Sequence, residues 1–152
     1  MIVLLFGQPA SGKTTLGDAL AKQLESMKQK VVRIDGDKWR DVTNNKDYSK
    51  EGRMRNLKGA FDMALYLDRE GFTVVLSFVT PYRELRDHLT NGASETMHVY
   101  LTYDGGRGRD EKFAPDFEAP DRSTLTINTS NTDLEQSLEQ IWEYLKDYYI
   151  TE

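Results

Sequence analysis

A phosphate-binding loop pattern near the start of this 152-residue chain constrains its fold more than any other feature. Residues 7–14 read GQPASGKT and match the pattern G-x-x-x-x-G-K-[ST]. The apolar run at residues 1–6 precedes the loop and is typical of a parallel strand buried on both faces. Leu16, Leu20 and Leu24 follow it at helical spacing. Strand, glycine loop and helix in this order form the context in which the motif binds phosphate.

The loop residues have separate predicted roles. Glycines let backbone N–H groups turn towards phosphate oxygens at a helix N-terminus, Lys13 is expected to reach the β and γ phosphates, and the Thr14 hydroxyl is expected to contact Mg²⁺. The predicted ATP-binding residues of this loop are Gly7, Ala10, Ser11, Gly12, Lys13, Thr14 and Thr15.

Hydrophobic spacing in the rest of the chain alternates between strands and helices. Strands are predicted at residues 31–34, 72–79, 97–101 and 125–127, and helices at 54–71, at 81–89 from Pro81, and after a capping box at Thr132 and Glu135. This order predicts one α/β domain over residues 1–152, with a P-loop kinase-type parallel five-stranded sheet and helices on both faces. Residues 103–123 show no periodicity, hold three Gly and two Pro, and are predicted to form a short lid loop.

Composition excludes several classes of protein. The chain has no cysteine, which removes disulfides and thiolate chemistry, and no apolar run approaches the length of a membrane span. No basic leader precedes the first apolar run, so we expect a cytoplasmic protein that binds no membrane. The net charge of −5 argues against duplex nucleic acid, whereas residues 33–58, with eight basic and five acidic side chains, favour a small anionic ligand or an ordinary solvated surface.

The remaining motifs favour a kinase of small molecules among nucleotide-binding proteins. A GTPase needs a base-reading N-K-x-D loop, which Asn45-Lys46-Asp47 does not match, and a motor ATPase needs a longer chain. Asp35 and Asp37 end the second predicted strand, beside the phosphate loop, where an open α/β sheet binds its ligand. Carboxylates there can hold Mg²⁺ through water and accept a hydroxyl proton, although a helix cap or Asx turn explains the same pattern.

Taken together, the motifs resemble the adenylylsulfate kinase (APS kinase) family over most of the chain. Residues 35–40, DGDKWR, are similar to its D-G-D-N-x-R, and residues 47–59 keep Tyr48, Arg53 and Asn56 of a second family segment. Residues 77–86, SFVTPYRELR, are close to S-F-I-S-P-Y-R-x-x-R. FEAP at 117–120 and TINT at 126–129 are similar to the last family elements.

The resemblance implies phosphorylation of the 3′-hydroxyl of adenosine 5′-phosphosulfate (APS) by MgATP, a reaction of sulfate assimilation. It implies catalytic roles for Lys13, Asp35 and Asp37, a metal site at Thr14 and Asp37, and lid arginines Arg107 and Arg109 at the ATP. The implied acceptor-binding residues are Arg40, Tyr48, Arg53, Asn56, Phe78, Val79, Thr80, Lys112 and Phe113. The expected partners are small nucleotides, and a homodimer is left open.

The lid departs most from the family pattern, because residues 105–112 replace a long basic run. Two alternatives therefore stay open at this point. One is a related kinase of another nucleotide acceptor, such as cytidine diphosphoramidate, and the other is an ATP-binding protein with little turnover.

Overall fold

The computed structural model describes residues 1–105, 107, 113–121 and 123–150. Ten elements follow one another along these residues, and helices separate most of the strands. Their bounds are β1 Ile2–Phe6, α1 Lys13–Ser26, β2 Val31–Asp35, α2 Gly36–Thr43, α3 Lys50–Arg69, β3 Thr73–Ser77, α4 Arg83–Gly92, β4 Thr96–Thr102, β5 Leu125–Asn128 and α5 Leu134–Ile150. None of the helices within these ranges is both long and apolar enough to cross a membrane.

The five strands form one parallel sheet in the order β2-β3-β1-β4-β5. β1 lies at the centre, where Leu4 pairs with Leu76 of β3 on one side and with His98 of β4 on the other. Both edges of β1 are therefore paired, and helices pack on both of its faces, which explains why its sequence is continuously apolar. The predicted five-stranded parallel sheet is confirmed.

Side chains of β1 alternate between two hydrophobic cores, one on each face of the sheet. Ile2, Leu4 and Phe6 pack with residues of α3 and α4, while Val3 and Leu5 pack with residues of α1 and α5. All five are completely buried, and full burial of a side chain of this size contributes roughly 1.5–3 kcal/mol. The two cores fix the sheet between its helices and so set the position of the loops at its edge.

Two differences from the predicted elements lie next to the site. The predicted third strand extends to Val79, but β3 ends at Ser77, and Thr80 then takes a left-handed backbone conformation with φ 47°. The stretch after β2, predicted as polar loop, contains the helix α2, whose N-terminus is capped by the side chain of Asp35. A helix this short depends on its cap and on tertiary contacts, which hydrophobic periodicity does not report.

Three predicted helix starts differ from the structure, and one of them is that of α3, which begins at Lys50 and not at residue 54. Pro81 was expected in the first turn of its helix, but α4 begins at Arg83, with Tyr82 as the capping position. The capping box of the last helix lies one residue later than Thr132 and Glu135. Asp133 and Gln136 form it, with each side chain accepting from the other residue's backbone N–H at 2.8 and 2.9 Å.

The carboxyl ends of the strands meet at one edge of the sheet, because all five strands are parallel. Asp35 at the end of β2 is in register with Ser77 at the end of β3, and Ser77 is in register with Leu5, two residues before Gly7. The phosphate loop and the aspartates predicted to act with it are thereby brought to the same edge.

Candidate active site

The phosphate loop joins β1 to α1 in a shape that requires glycine at two points. Gly7 has φ 150°, and a Cβ atom there would lie 2.2 Å from the carbonyl oxygen of Leu101 in the neighbouring strand. Gly12 has φ 101° and forms the N-cap of α1, so Lys13 and Thr14 open the helix. The first N–H groups of α1 therefore face the loop's interior, the arrangement that binds phosphate oxygens.

Lys13 lies folded over this loop. Its ammonium donates to the carbonyl oxygen of Gln8 at 2.9 Å and to the hydroxyl of Ser11 at 3.3 Å. Its own carbonyl accepts a hydrogen bond of 2.7 Å from the Ser77 hydroxyl at the end of β3. Gly17 permits this close approach, since a Cβ atom there would meet the Ser77 hydroxyl at 2.6 Å.

Asp35 connects the loop to the end of β2. One carboxylate oxygen accepts from the Thr14 hydroxyl at 2.6 Å, and the other accepts from the backbone N–H of Asp37 at 3.2 Å. Arg33 forms an ion pair with Asp35 at 3.6 Å. The helix-cap interpretation of the Asp-Gly-Asp pattern is confirmed for Asp35, which also contacts the phosphate loop, and its role towards Mg²⁺ stays a prediction.

The oxygen atoms of Thr14 and Asp35 fit a magnesium ion. Mg²⁺ prefers hard oxygen ligands and usually takes one or two carboxylates or hydroxyls together with water and phosphate oxygens. Asp37, the predicted metal ligand, is exposed and lines the same cavity, one residue beyond the capped helix start. No group of three or more metal-binding side chains occurs among the residues that the structure describes.

One cavity of about 330 Å³ runs from the phosphate loop to α3. It brings together predicted residues that are far apart in the sequence, from the loop, from β2 and α2, from α3 and from the segment after β3. The predicted residues that line it are Ala10, Gly12, Lys13, Thr14, Thr15, Asp35, Asp37, Arg40, Tyr48, Arg53, Asn56, Phe78, Val79 and Thr80. Pro9, Gly36, Leu57, Ser77 and Pro81 also line it and were not predicted.

The end of the cavity away from the phosphate loop is cationic and aromatic. The guanidinium of Arg40 lies 4.1 Å from the ring centre of Tyr48, and that of Arg53 lies 5.9 Å from the same ring. Burial is the main cause of a lowered pKa for Arg40, and the charge of Arg53 lowers it further. Two neighbouring cations, one of them 8% exposed, provide an environment that favours an anion.

Arg40 also shapes the loop that carries Tyr48. It donates to the backbone and side-chain oxygens of Asn45 at 3.1 and 3.0 Å and to the carbonyl of Asp47 at 3.2 Å. Gly52 allows the loop to lie close to α3, because a Cβ atom there would lie 2.3 Å from Asp47. Tyr48 itself is 44% exposed, so part of its side chain is accessible from the cavity that it lines.

Asn56 is the third polar residue that lines this end of the cavity, after Arg40 and Arg53. Its residue is 6% exposed, and its side-chain oxygen has no hydrogen-bond partner among the described residues. A buried unpaired acceptor is costly, and a ligand donor would satisfy it. Phe78 packs in the core and also lines the cavity, so its core position does not prevent contact with a ligand.

Some predicted residues lie outside this cavity lining. Gly7 and Ser11 belong to the phosphate loop but do not line the cavity. Phe113 contacts the ring of Tyr103, with ring centroids 6.1 Å apart. Arg107 lies on the outer side of the loop, where it donates to the carbonyl of Ala10 at 2.9 Å. Arg109 and Lys112 fall outside the described residues.

Sequence reasoning missed the residues that hold the loop from its outer side. Tyr103 donates to the Pro9 carbonyl at 2.7 Å, and Thr129 donates to the Ser11 carbonyl at 2.9 Å. Gln8 pairs with the backbone of Ala114. The position of Tyr103 and Thr129 directly after β4 and β5 was the available signal, since the carboxyl ends of these strands face the loop.

Comparison with protein families and relatives points to one family. Residues 1–112 match the family model of adenylylsulphate kinase. The adenylyl-sulfate kinase of Oceanobacillus iheyensis is 31% identical, with 93% of this chain and 81% of that protein covered. The adenylyl-sulfate kinase of Staphylococcus carnosus is 30% identical, with 96% of this chain and 84% of that protein covered.

Solved structures share the fold. The APS kinase of Mycobacterium tuberculosis, determined with AMPPNP and APS, superposes with a TM-score of 0.83 at 17% identity, covering 95% of this chain and 96% of that one. The shikimate kinase of Aquifex aeolicus superposes with a TM-score of 0.63 at 15% identity, covering 99% of both chains.

Proposed function

The chain belongs to the adenylylsulphate kinase family, and we propose that it transfers the γ-phosphoryl group of ATP to the 3′-hydroxyl of APS. The products are ADP and 3′-phosphoadenosine 5′-phosphosulfate. The observation that carries the proposal is one continuous cavity that extends from the phosphate loop to a cationic, aromatic end. A relative with the same fold binds an ATP analogue and APS together, which supports two nucleotides in one cavity.

The donor phosphates are proposed to bind at the phosphate loop. Backbone N–H groups at the start of α1 and the Lys13 ammonium would contact their oxygens, with the ammonium keeping its bond to the Gln8 carbonyl and exchanging its longer bond to Ser11 for bonds to phosphate. Thr14 and Asp35 would hold Mg²⁺, together with Asp37, and a bound Mg²⁺ neutralises charge on the transferring phosphoryl group.

The acceptor is proposed to bind at the other end. APS carries an anionic phosphosulfate, an adenine ring and ribose hydroxyls. Arg40 and Arg53 match the anion, the exposed ring of Tyr48 matches the base, and the unpaired oxygen of Asn56 matches a hydroxyl or amino donor. The residues after β3 that line the cavity, Phe78, Val79 and Thr80, would form its wall.

The transfer then needs little covalent chemistry from the protein. The 3′-oxygen attacks the γ-phosphorus, the bond from that phosphorus to the β–γ bridging oxygen breaks, and the hydroxyl proton passes to the Asp37 carboxylate. Because phosphoryl transfer depends on positioning and on charge stabilisation, Lys13 and the fixed N–H groups of α1 supply most of the effect. Both substrates are small soluble nucleotides, so we further propose that the protein acts in the cytoplasm.

Acceptor screening with the purified protein tests this proposal. ADP release is followed by a coupled assay with MgATP and either APS, cytidine diphosphoramidate or no acceptor. APS is expected to raise the rate of ADP release well above the rate without acceptor and above that with the cytidine compound. Faster turnover with the cytidine compound, or no acceptor-dependent turnover, would contradict the proposal.

A further inference from the structure

The side chain of Gln8 forms a pair of hydrogen bonds with a residue 106 positions away. Its Nε2 donates to the carbonyl of Ala114 at 3.0 Å, and its Oε1 accepts from the N–H of Ala114 at 3.0 Å. Ala114 is 2% exposed, and its N–H is paired with this side chain, while its carbonyl also accepts from the N–H of Phe117 at 3.3 Å. The amide thus pairs with the backbone as a strand would, and it fixes Ala114 against the phosphate loop.

The backbone of Gln8 has a second function in the site. Its carbonyl oxygen accepts the hydrogen bond from the Lys13 ammonium at 2.9 Å. The carbonyl and the side chain belong to one residue. A rotation of the Gln8 peptide group therefore moves the carbonyl oxygen to which the Lys13 ammonium donates. The position of Lys13 is therefore connected to the position of Ala114 through a single residue.

Segment 113–119 reaches the other wall of the cavity. The N–H of Glu118 donates to the carbonyl of Pro81 at 2.7 Å, and buried Arg86 donates to the carbonyl of Thr80 at 2.8 Å and also to that of Glu118. Pro81 and Thr80 both line the cavity. The segment is thus bonded at one end to the phosphate loop and at the other end to the wall after β3.

We propose that Gln8 is a positioning residue for phosphoryl transfer. It connects the phosphate loop to segment 113–119 by hydrogen bonds. This connection aligns the Lys13 ammonium with the cavity wall after β3, where the acceptor is proposed to bind. This inference rests on the proposed function, which assigns the donor to the loop and the acceptor to that wall. A displacement of about 1 Å in such a site can lower turnover by up to a hundredfold.

The phosphate loop is expected to keep its fold without this contact. The next three carbonyls along the loop, those of Pro9, Ala10 and Ser11, are held by Tyr103, Arg107 and Thr129. A substitution at position 8 therefore removes the connection to the segment and leaves the outer support of the loop in place.

Kinetics of two variants test the proposal. Gln8→Leu keeps the side-chain size and loses both hydrogen bonds, and Gln8→Asn keeps the amide but is too short to reach Ala114. Both variants are expected to lower kcat at least tenfold. The KM for ATP and the KM for APS are each expected to change by less than threefold. A kcat within twofold of that of the unmodified protein would overturn the proposal.

Tyr149→Phe is the matched control for a merely structural role. Tyr149 makes a tertiary hydrogen bond of 2.6 Å to Thr73, at the amino end of β3 and far from the cavity. This variant is expected to lower the melting temperature about as much as Gln8→Leu does and to keep kcat within twofold. An equal loss of kcat in both variants would show that stability, not positioning, limits turnover.

Hydrogen exchange separates this proposal from the choice of acceptor. Mg-AMPPNP alone is expected to slow exchange of the Ala114 amide at least fivefold in the unmodified protein and in Tyr149→Phe, but not in Gln8→Leu. Equal slowing in all three proteins would refute the role of Gln8. Because this measurement needs no acceptor, it decides the matter even if APS proves not to be the substrate.

Discussion

Replacing Asp35 by asparagine removes one negative charge from the cavity while it keeps the shape of the side chain. The amide oxygen can accept from the N–H of Asp37 as the carboxylate does, and the amide nitrogen can then donate to the Thr14 hydroxyl, which changes from donor to acceptor. Asparagine is also as good an N-cap as aspartate, so α2 is expected to keep its start. What disappears is the charge that we propose for holding Mg²⁺ and the ion pair with Arg33 at 3.6 Å.

The two losses have different magnitudes. Arg33 keeps its contact with Asp18 at 3.1 Å, so the free energy of unfolding is expected to fall by about 1 kcal/mol. Loss of a charge that stabilises the transferring phosphoryl group costs about 3 kcal/mol or more, which is over a hundredfold in kcat. The substitution should therefore affect turnover far more than folding.

Steady-state kinetics and urea unfolding of Asp35→Asn measure both quantities. Asp18→Asn is the control, because it removes the other carboxylate partner of Arg33 without entering the cavity lining. It is expected to keep kcat within twofold and to lower stability by a similar small amount. A kcat for Asp35→Asn within fivefold of the unmodified value, or a stability loss above about 3 kcal/mol, would show that the charge of Asp35 does not act mainly on turnover.

Three further substitutions separate the roles of other site residues. Lys13→Ala is expected to lower kcat more than a hundredfold with little change in melting temperature, since the ammonium donates to oxygens of the phosphate loop, outside the hydrophobic cores. A loss of kcat within tenfold would exclude the ammonium from transition-state binding. Asp37→Asn should lower kcat more than it weakens ATP binding, whereas Arg53→Met should mainly raise the KM of the acceptor. Equal losses of ATP affinity in the two variants would contradict separate roles for Asp37 in transfer and Arg53 in acceptor binding. Arg107→Ala should lower turnover and leave urea unfolding nearly unchanged, because the side chain is exposed, and an unaltered rate would limit it to supporting the loop.

The central part of the fold was predictable because local sequence and tertiary structure agree there. The apolar run of β1, the glycines of the loop and the spacing of Leu16, Leu20 and Leu24 each specify a conformation that packing also favours. The parallel order of β1 to β4 then follows, since helices connect these strands. The positions of Lys13, Thr14 and Asp35 at one sheet edge could therefore be predicted from the sequence alone.

The remaining features depend on contacts between distant residues. α2 has no buried residue, and its start is fixed by Asp35. The end of β3 depends on the left-handed turn at Thr80, whose carbonyl is held by Arg86. The pairing of Gln8 with Ala114 joins residues 106 positions apart. Such contacts leave no periodicity in the sequence, so motif and pattern reasoning cannot find them.

Phosphorus NMR of the reaction product tests the central claim most directly. The purified protein is incubated with MgATP and APS, and the new phosphorus signal is assigned by its coupling to a ribose proton. We expect one new phosphate, coupled to the 3′-proton of the ribose and formed in equal amount to ADP. ADP formed with inorganic phosphate and no new nucleotide, or a phosphate attached at another position, would contradict it.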